Sequence, residues 1–211
     1  IRPSQRSEAL AYREQEHDMA KLVVVLGSVT PPGRSLKAME WAVRCASEEA
    51  PGTEAQLLNL ANYKSAFADG RPPDQLGDDT AAVVRAITDA DAVLFASPVY
   101  RGSFTGALKN LLDHLPVQSL AGKPCGLVAI GATHHHYLGV DWHLRDVLAW
   151  FGALLAPTSV YLCAEDFVGG EPTAKACAQL RELVRTVLKL SKLLSDSRLE
   201  FGPRPLAARR D

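Results

Sequence analysis

The chain has 211 residues, a formal net charge of −1 and a hydrophobic fraction of 47%. That length is enough to bury a sizeable core in one domain. A charge so near zero gives no broad electrostatic reason to expect nucleic acid or an anionic membrane as partner. No apolar run reaches the ~18–20 residues a membrane span requires, and no signal-peptide core precedes the first strand.

Residues 1–20 are polar, charged and aperiodic, and read as a tail or an added segment, with Met19-Ala20-Lys21 as a natural start. Lys21–Gly27 (KLVVVLG) is β-branched, continuous and closed by glycine, which predicts a buried strand. After the loop Ser28–Ser35, apolar residues at Leu36, Met39, Val43 and Ala46 predict a helix, stopped by Pro51-Gly52. Glu54–Leu60 alternates in part and reads as a strand near a sheet edge. A long connection over Asn62–Asp78 follows, of a length that is uncommon unless functional or mobile. Asp79–Asp89 is a predicted helix with Val83, Val84 and Ile87 inward.

Ala92–Asp113 carries the densest local instruction. Ala92–Ala96 is an unbroken apolar strand, Ser97-Pro98 is expected to break it, and Val99–Gly102 forms a loop. Ser103 is the expected N-cap of a helix whose inner face is Phe104, Ala107, Leu108, Leu111, Leu112 and Leu115, ended by Pro116. Cys125–Ile130 is a further strand and Gly131–His136 its loop. A helix is expected from about Tyr137 to Leu155, the last strand over Pro157–Leu162 and a closing helix over Glu171–Leu194. Residues 196–211 read as a mobile tail.

Strands and helices alternate five times without an internal repeat, so 21–195 is expected to form one α/β domain. Its parallel five-stranded sheet has order 2-1-3-4-5, with helices on both faces: the flavodoxin-like arrangement. The switch point lies between strands one and three. Their loops, Ser28–Ser35 and Ser97–Ser103, should therefore meet at the ligand crevice.

The first loop has the chemistry to hold a phosphate. Ser28 and Ser35 offer hydroxyls, Arg34 a charged fork, and the amides around Arg34–Lys37, Leu36 among them, open a helix toward the same point. It is neither a P-loop nor a GxGxxG fingerprint, which disfavours ATP and Rossmann-type NAD binding. The second loop suits a flat ring, because Pro98 and Gly102 allow close backbone approach and Tyr100 can lie near it. Gly131–His136 follows the neighbouring strand and should line the same crevice. His134, His135 and His136 point in different directions and share no metal-type spacing with Cys, Asp or Glu, so no metal is expected. Cys45, Cys125, Cys163 and Cys177 form no CxxC pair. Cys125 and Cys163 lie in apolar runs and read as small core residues, a pattern suited to a reducing cytoplasm. GxSxG, HExxH and SxxK are all missing. Trp142, Trp150 and Phe151 cannot all face one core from a single helix. Part of that helix is therefore expected to meet another subunit, in a homodimer or homotetramer.

Ser97-Pro98-Val99-Tyr100-Arg101-Gly102-Ser103, followed by Gly106-Ala107-Leu108-Lys109-Asn110 and Leu112-Asp113, resembles the flavin-contacting loop of the NAD(P)H-dependent FMN reductases. The similarity runs over roughly Lys21 to Asp166. It is nearest to the reductases that supply reduced FMN to sulfur-compound monooxygenases. It implies FMN as cofactor, NADPH or NADH as co-substrate, and a flavin-dependent monooxygenase as recipient of reduced FMN. It further implies flavin contacts from Pro98, Val99, Tyr100, Arg101, Gly102 and Ser103. With it, the third loop (Gly131, Ala132, Thr133, His136) faces the pyrimidine end. Hydride passes between two bound rings, so no catalytic acid or base is expected. The family usually has an arginine where Thr30 stands, which leaves Arg34 as the one cation for the phosphate. A quinone, azo or oxyanion reductase with permanently bound FMN is the alternative enzyme. A flavodoxin-like electron carrier, or a homologue without turnover, is the non-enzymatic alternative.

Overall fold

The computed structural model describes residues 20–196; the two tails read from the sequence fall almost wholly outside it. Eight strands and five α-helices are described: β1 (Lys21–Leu26), α1 (Arg34–Glu49), β2 (Glu54–Asn59), α2 (Thr80–Thr88), β3 (Ala92–Pro98), α3 (Gly106–His114), β4 (Pro124–Ile130), α4 (Gly139–Trp150), β5 (Leu154–Leu155), β6 (Val160–Leu162), β7 (Phe167–Val168), β8 (Glu171–Pro172) and α5 (Ala174–Asp196). The main sheet is parallel, in the order β2-β1-β3-β4-β5, with β6 also on β4. The order is the expected one.

The continuous apolar runs have a direct cause: the central strands are buried on both faces. Leu22, Val24 and Leu26 of β1 pack with Ala38, Met39, Ala42 and Ala46 of α1 and Leu180, Val184 and Val187 of α5. Val23 and Val25 turn the other way, to a core with Val83 and Ile87 of α2, Leu108 and Leu112 of α3, and Leu144 and Leu148 of α4. Burying a side chain of this size contributes about 1.5–3 kcal/mol, so the two cores hold the sheet from both faces.

Several boundaries differ from the sequence reading. The expected fifth strand over Pro157–Leu162 is two pieces. Leu155 pairs with Cys125 and Val160 with Val128, so five residues advance on one strand against three on the other. Pro157, which has no N–H for the ladder, lies in that bulge. Leu155 is consequently a strand residue, and α4 starts at Gly139 after a 3-10 turn over His134–His136 and ends at Trp150. Pro98 does not break β3 but is its last paired residue, opposite Ile130. The closing helix begins at Ala174, because Glu171–Pro172 pairs antiparallel with Phe167–Val168. The long 62–78 connection is pinned rather than loose. Asn110 of α3 donates to the Ala66 carbonyl at 2.8 Å and accepts from the Ala68 amide at 2.9 Å, and His114 Nε2 lies 2.9 Å from the same carbonyl.

Candidate flavin site at the carboxyl edge of the sheet

The parallel register brings the carboxyl ends of β1, β3 and β4 side by side: Leu26 pairs with Ala96, and Pro98 with Ile130. The three loops singled out from the sequence leave from these ends. Ser28, buried, ends the first strand's run; its hydroxyl meets Thr30 Oγ1 at 2.9 Å and accepts from the Thr30 amide at 3.4 Å. Arg34, Ser35 and Leu36 are the first three residues of α1. That helix has Gly33 at its N-cap, no side-chain cap and no acidic residue in its first turn. Its opening amides are thus not answered by a side chain, the condition in which a helix N-terminus attracts an anion. Arg34 stacks its guanidinium 5.5 Å from the Phe167 ring centroid, and among the described residues it makes no ion pair. The neighbouring Lys37, by contrast, is shared between Glu40 and Glu171, each at 3.5 Å.

The second loop is a tight turn. Tyr100 N donates to Ser103 O at 2.8 Å and Ser103 N to Tyr100 O at 3.1 Å. Arg101 and Gly102 between them have φ of 52° and 78°. Two positive φ values at the centre mark a type I′ turn, and Arg101 is the one non-glycine residue in that region among those described. The turn's own bonds occupy the Tyr100 and Ser103 amides, and those of Arg101 and Gly102 take no part in them. Tyr100 is exposed. A Cβ on Gly139 would lie 2.5 Å from the Gly102 carbonyl oxygen, so the start of α4 supports the turn from beneath.

Ser103 is not the helix cap. Thr105 is: its Oγ1 accepts from the Leu108 amide at 3.1 Å and donates to the Gly27 carbonyl in a very short bond. The Thr105 amide in turn donates to Ser97 Oγ at 3.0 Å. Gly27 N donates to Ala96 O at 2.8 Å, and a Cβ there would stand 2.7 Å from Leu108 Cβ. Gly27, Ser97 and Thr105 therefore lock the first loop to the second. The sequence offered Gly27 only as a strand terminator, and Ser103, an equally good capping type two residues earlier, masked Thr105.

In the third loop Gly131 is buried and Ala132, Thr133 and His136 are exposed. Tyr161 of β6 organises it: the phenol donates to Thr133 O at 2.5 Å, and a Cβ on Gly131 would overlap the same hydroxyl. Burial, with the Cys163 sulfur nearby, pushes the Tyr161 phenol above its usual range, which keeps it a donor. Nothing local in the sequence links positions 131 and 161. A broad depression of about 1270 Å³ lies at the opposite, amino edge, lined by Lys21, Lys123, Lys189 and Lys192 among others. Sheet topology argues for the carboxyl edge, where the strand order reverses.

The profile of the NADPH-dependent FMN reductase family matches residues 20–167. An NAD(P)H-dependent FAD/FMN reductase of Geobacillus thermodenitrificans is 39% identical over 56% of this chain and 63% of its own length. The NADH-dependent FMN reductase SfnF of Pseudomonas putida is 33% identical over 70% of this chain and 79% of its own. In fold, an NADH:FMN oxidoreductase solved in its apo form superposes with a TM-score of 0.68 at 24% identity, covering 91% of this chain and 97% of the other. The chain belongs to the NADPH-dependent FMN reductase family, oxidoreductases that pair a nicotinamide nucleotide with FMN, here on a flavodoxin-like sheet.

Proposed function

We propose that this chain performs its family's reaction, NAD(P)H-dependent reduction of FMN, at the carboxyl edge of β1, β3 and β4, and that it releases the reduced FMN to a separate flavin-dependent monooxygenase. FMN, when bound, supplies the two-electron chemistry by taking hydride from NADH or NADPH. The chain's own part is positioning. The α1 amides, the Ser28 and Ser35 hydroxyls and the Arg34 fork hold the phosphate, with Leu36 beside them. The Pro98–Ser103 turn presents backbone to the ring edge, and Gly131, Ala132, Thr133 and His136 close the pyrimidine end.

The single observation behind this reading is the α1 N-terminus, with neither side-chain cap nor first-turn acid, beside an Arg34 that no carboxylate among the described residues neutralises. With Thr30 rather than a second cation in the loop, the phosphate is held by one side-chain charge, which suits a flavin that exchanges. Trp142 and Trp150 are exposed on α4 while Phe151 is buried, and this supports a homodimer or homotetramer. Among the described residues no helix is long and apolar enough to cross a membrane, and four free thiols agree with work in a reducing cytoplasm.

Fluorescence titration with FMN and with riboflavin tests the phosphate site directly. FMN should bind at least about tenfold tighter, from one charge-assisted contact. Equal affinities would overturn the assignment.

A further inference from the structure

The loops after β4 and β6 leave the sheet together, because Ile130 pairs with Leu162 and Gly131 N donates to Leu162 O at 2.8 Å. This adjacency brings together three residues whose spacing in sequence suggests nothing. His134 opens the 3-10 turn after β4, Cys163 is the N-cap of the 3-10 turn after β6, and Glu165 lies in that second turn. His134 Nε2 is 3.4 Å from Cys163 Sγ and 3.5 Å from Glu165 Oε2. The three donor atoms all lie within 4.8 Å of one another, the one such mixed group among the described residues.

A hydrogen bond explains only part of this. One proton on Nε2 is at best divided between sulfur and carboxylate in a weak three-centre bond, and an exposed His–Glu pair contributes little by itself. A cation between the three serves all of them. Tetrahedral zinc, with metal–sulfur about 2.3 Å and metal–nitrogen or –oxygen about 2.0–2.1 Å, requires S···N near 3.6 Å and N···O near 3.4 Å. The two measured separations are close to these values, and with Nδ1 at 3.9 Å from the same sulfur the His134 ring has to turn for Nε2 to face a shared ion. Cys163 is 1% exposed and held: its amide donates to Asp166 Oδ2 at 2.9 Å, and its thiol faces the same oxygen at 3.5 Å. The His134 and Glu165 side chains are 64% and 81% exposed, so both are free to turn and close on a shared ion from within the 4.8 Å that bounds the group.

We propose that His134 Nε2, Cys163 Sγ and Glu165 Oε2 form a three-ligand site for a borderline divalent cation of the zinc class, with the fourth position open to water. The sequence reading of Cys163 as a buried residue holds, but it also expected no metal, and the proposal reverses that. On binding, the Cys163 S–H bond breaks, a metal–sulfur bond forms and the proton leaves to solvent, with no change in oxidation state. A thiolate–imidazole–carboxylate set excludes Mg²⁺ and Ca²⁺, which take oxygen ligands. The site does not depend on the flavin reading.

The test is a Co²⁺ titration of the full chain without flavin. One equivalent should produce a thiolate-to-cobalt charge-transfer band in the near ultraviolet and the intense visible bands of four-coordinate cobalt. Zn²⁺ should erase both; Mg²⁺ should not. Calorimetry with Zn²⁺ in two buffers of different ionisation enthalpy should report about one proton released per ion. Cys163→Ser should abolish the charge-transfer band and the proton release. His134→Ala and Glu165→Gln should each weaken binding at least about tenfold; being exposed, they keep the test decisive if the serine variant does not fold. Failure of cobalt to give the band, an unchanged spectrum in Cys163→Ser, or His134→Ala and Glu165→Gln titrating like the parent would overturn the site.

Discussion

Thr105 donates its hydroxyl to the Gly27 carbonyl while accepting from the Leu108 amide, so one side chain both caps α3 and ties the end of β1 to the loop after β3. Thr105→Val keeps the shape and removes both bonds. It should destabilise the fold by about 1–2 kcal/mol from the cap alone and weaken FMN, because the two loops lose their shared anchor. Thr105→Ser should stay near the parent. Urea unfolding alongside flavin titration checks this, and a valine variant as stable as the parent would contradict it.

Arg34 stands at the first turn of α1 with Phe167 as its neighbour. Charge-assisted hydrogen bonds contribute about 1.5–3 kcal/mol, so Arg34→Ala should weaken FMN about 10- to 150-fold while riboflavin binding changes little. The fold should persist, with stability read from the urea midpoint lowered by no more than the stacking on Phe167 contributes, about 0.5–1 kcal/mol. A variant that binds FMN like the parent removes Arg34 from the phosphate site.

The parts of this molecule legible in its sequence are those governed by local pattern. β1, β3 and β4 read as strands because both faces are buried, and their alternation with helices calls for a parallel sheet, for which 2-1-3-4-5 is the flavodoxin-like order. Loops placed by that order, Ser28–Ser35 and Val99–Ser103, were legible too. What was not legible is long-range. The choice of Thr105 over Ser103 as cap depends on Gly27, 78 positions away. The Tyr161 hydroxyl beneath Gly131, and His134 beside Cys163, depend on β6 lying against β4 past a bulge that Pro157 helps to make. Periodicity carries no signal for any of these.

Glu49 ties α1 to α5. Hydrogen bonds from Arg185 and then Arg181 hold its carboxyl down at about 2, from an ordinary value of 4.5. Its side chain is only 12% exposed. A carboxylate with a depressed folded value stabilises fully above its ordinary value, and that contribution disappears as pH falls toward the folded one. The parent should thus be more stable than Glu49→Gln at pH 6, with the difference shrinking between about pH 4.5 and 2. Urea midpoints at pH 6, 4 and 3 measure it. A difference that is constant with pH would show that the ion pairs with Arg181 and Arg185 add nothing.

Trp142 and Trp150 project from α4 on the side away from the buried Leu144 and Leu148. Light scattering at micromolar concentration should return a dimer or a tetramer, and replacing both tryptophans with serine should shift the population toward monomer. A monomeric parent would contradict the assembly.

The most direct measurement is NAD(P)H consumption by dialysed protein as FMN is added back, under anaerobic conditions, with a small-pore filtrate collected. An enzyme that treats FMN as an exchangeable substrate should arrive nearly colourless and turn over only in proportion to added FMN until saturated. Reduced flavin should then appear in the filtrate. Stoichiometric FMN surviving dialysis, with turnover indifferent to added flavin, would contradict this account and favour a reductase that keeps its FMN and passes electrons to a quinone, azo or oxyanion acceptor.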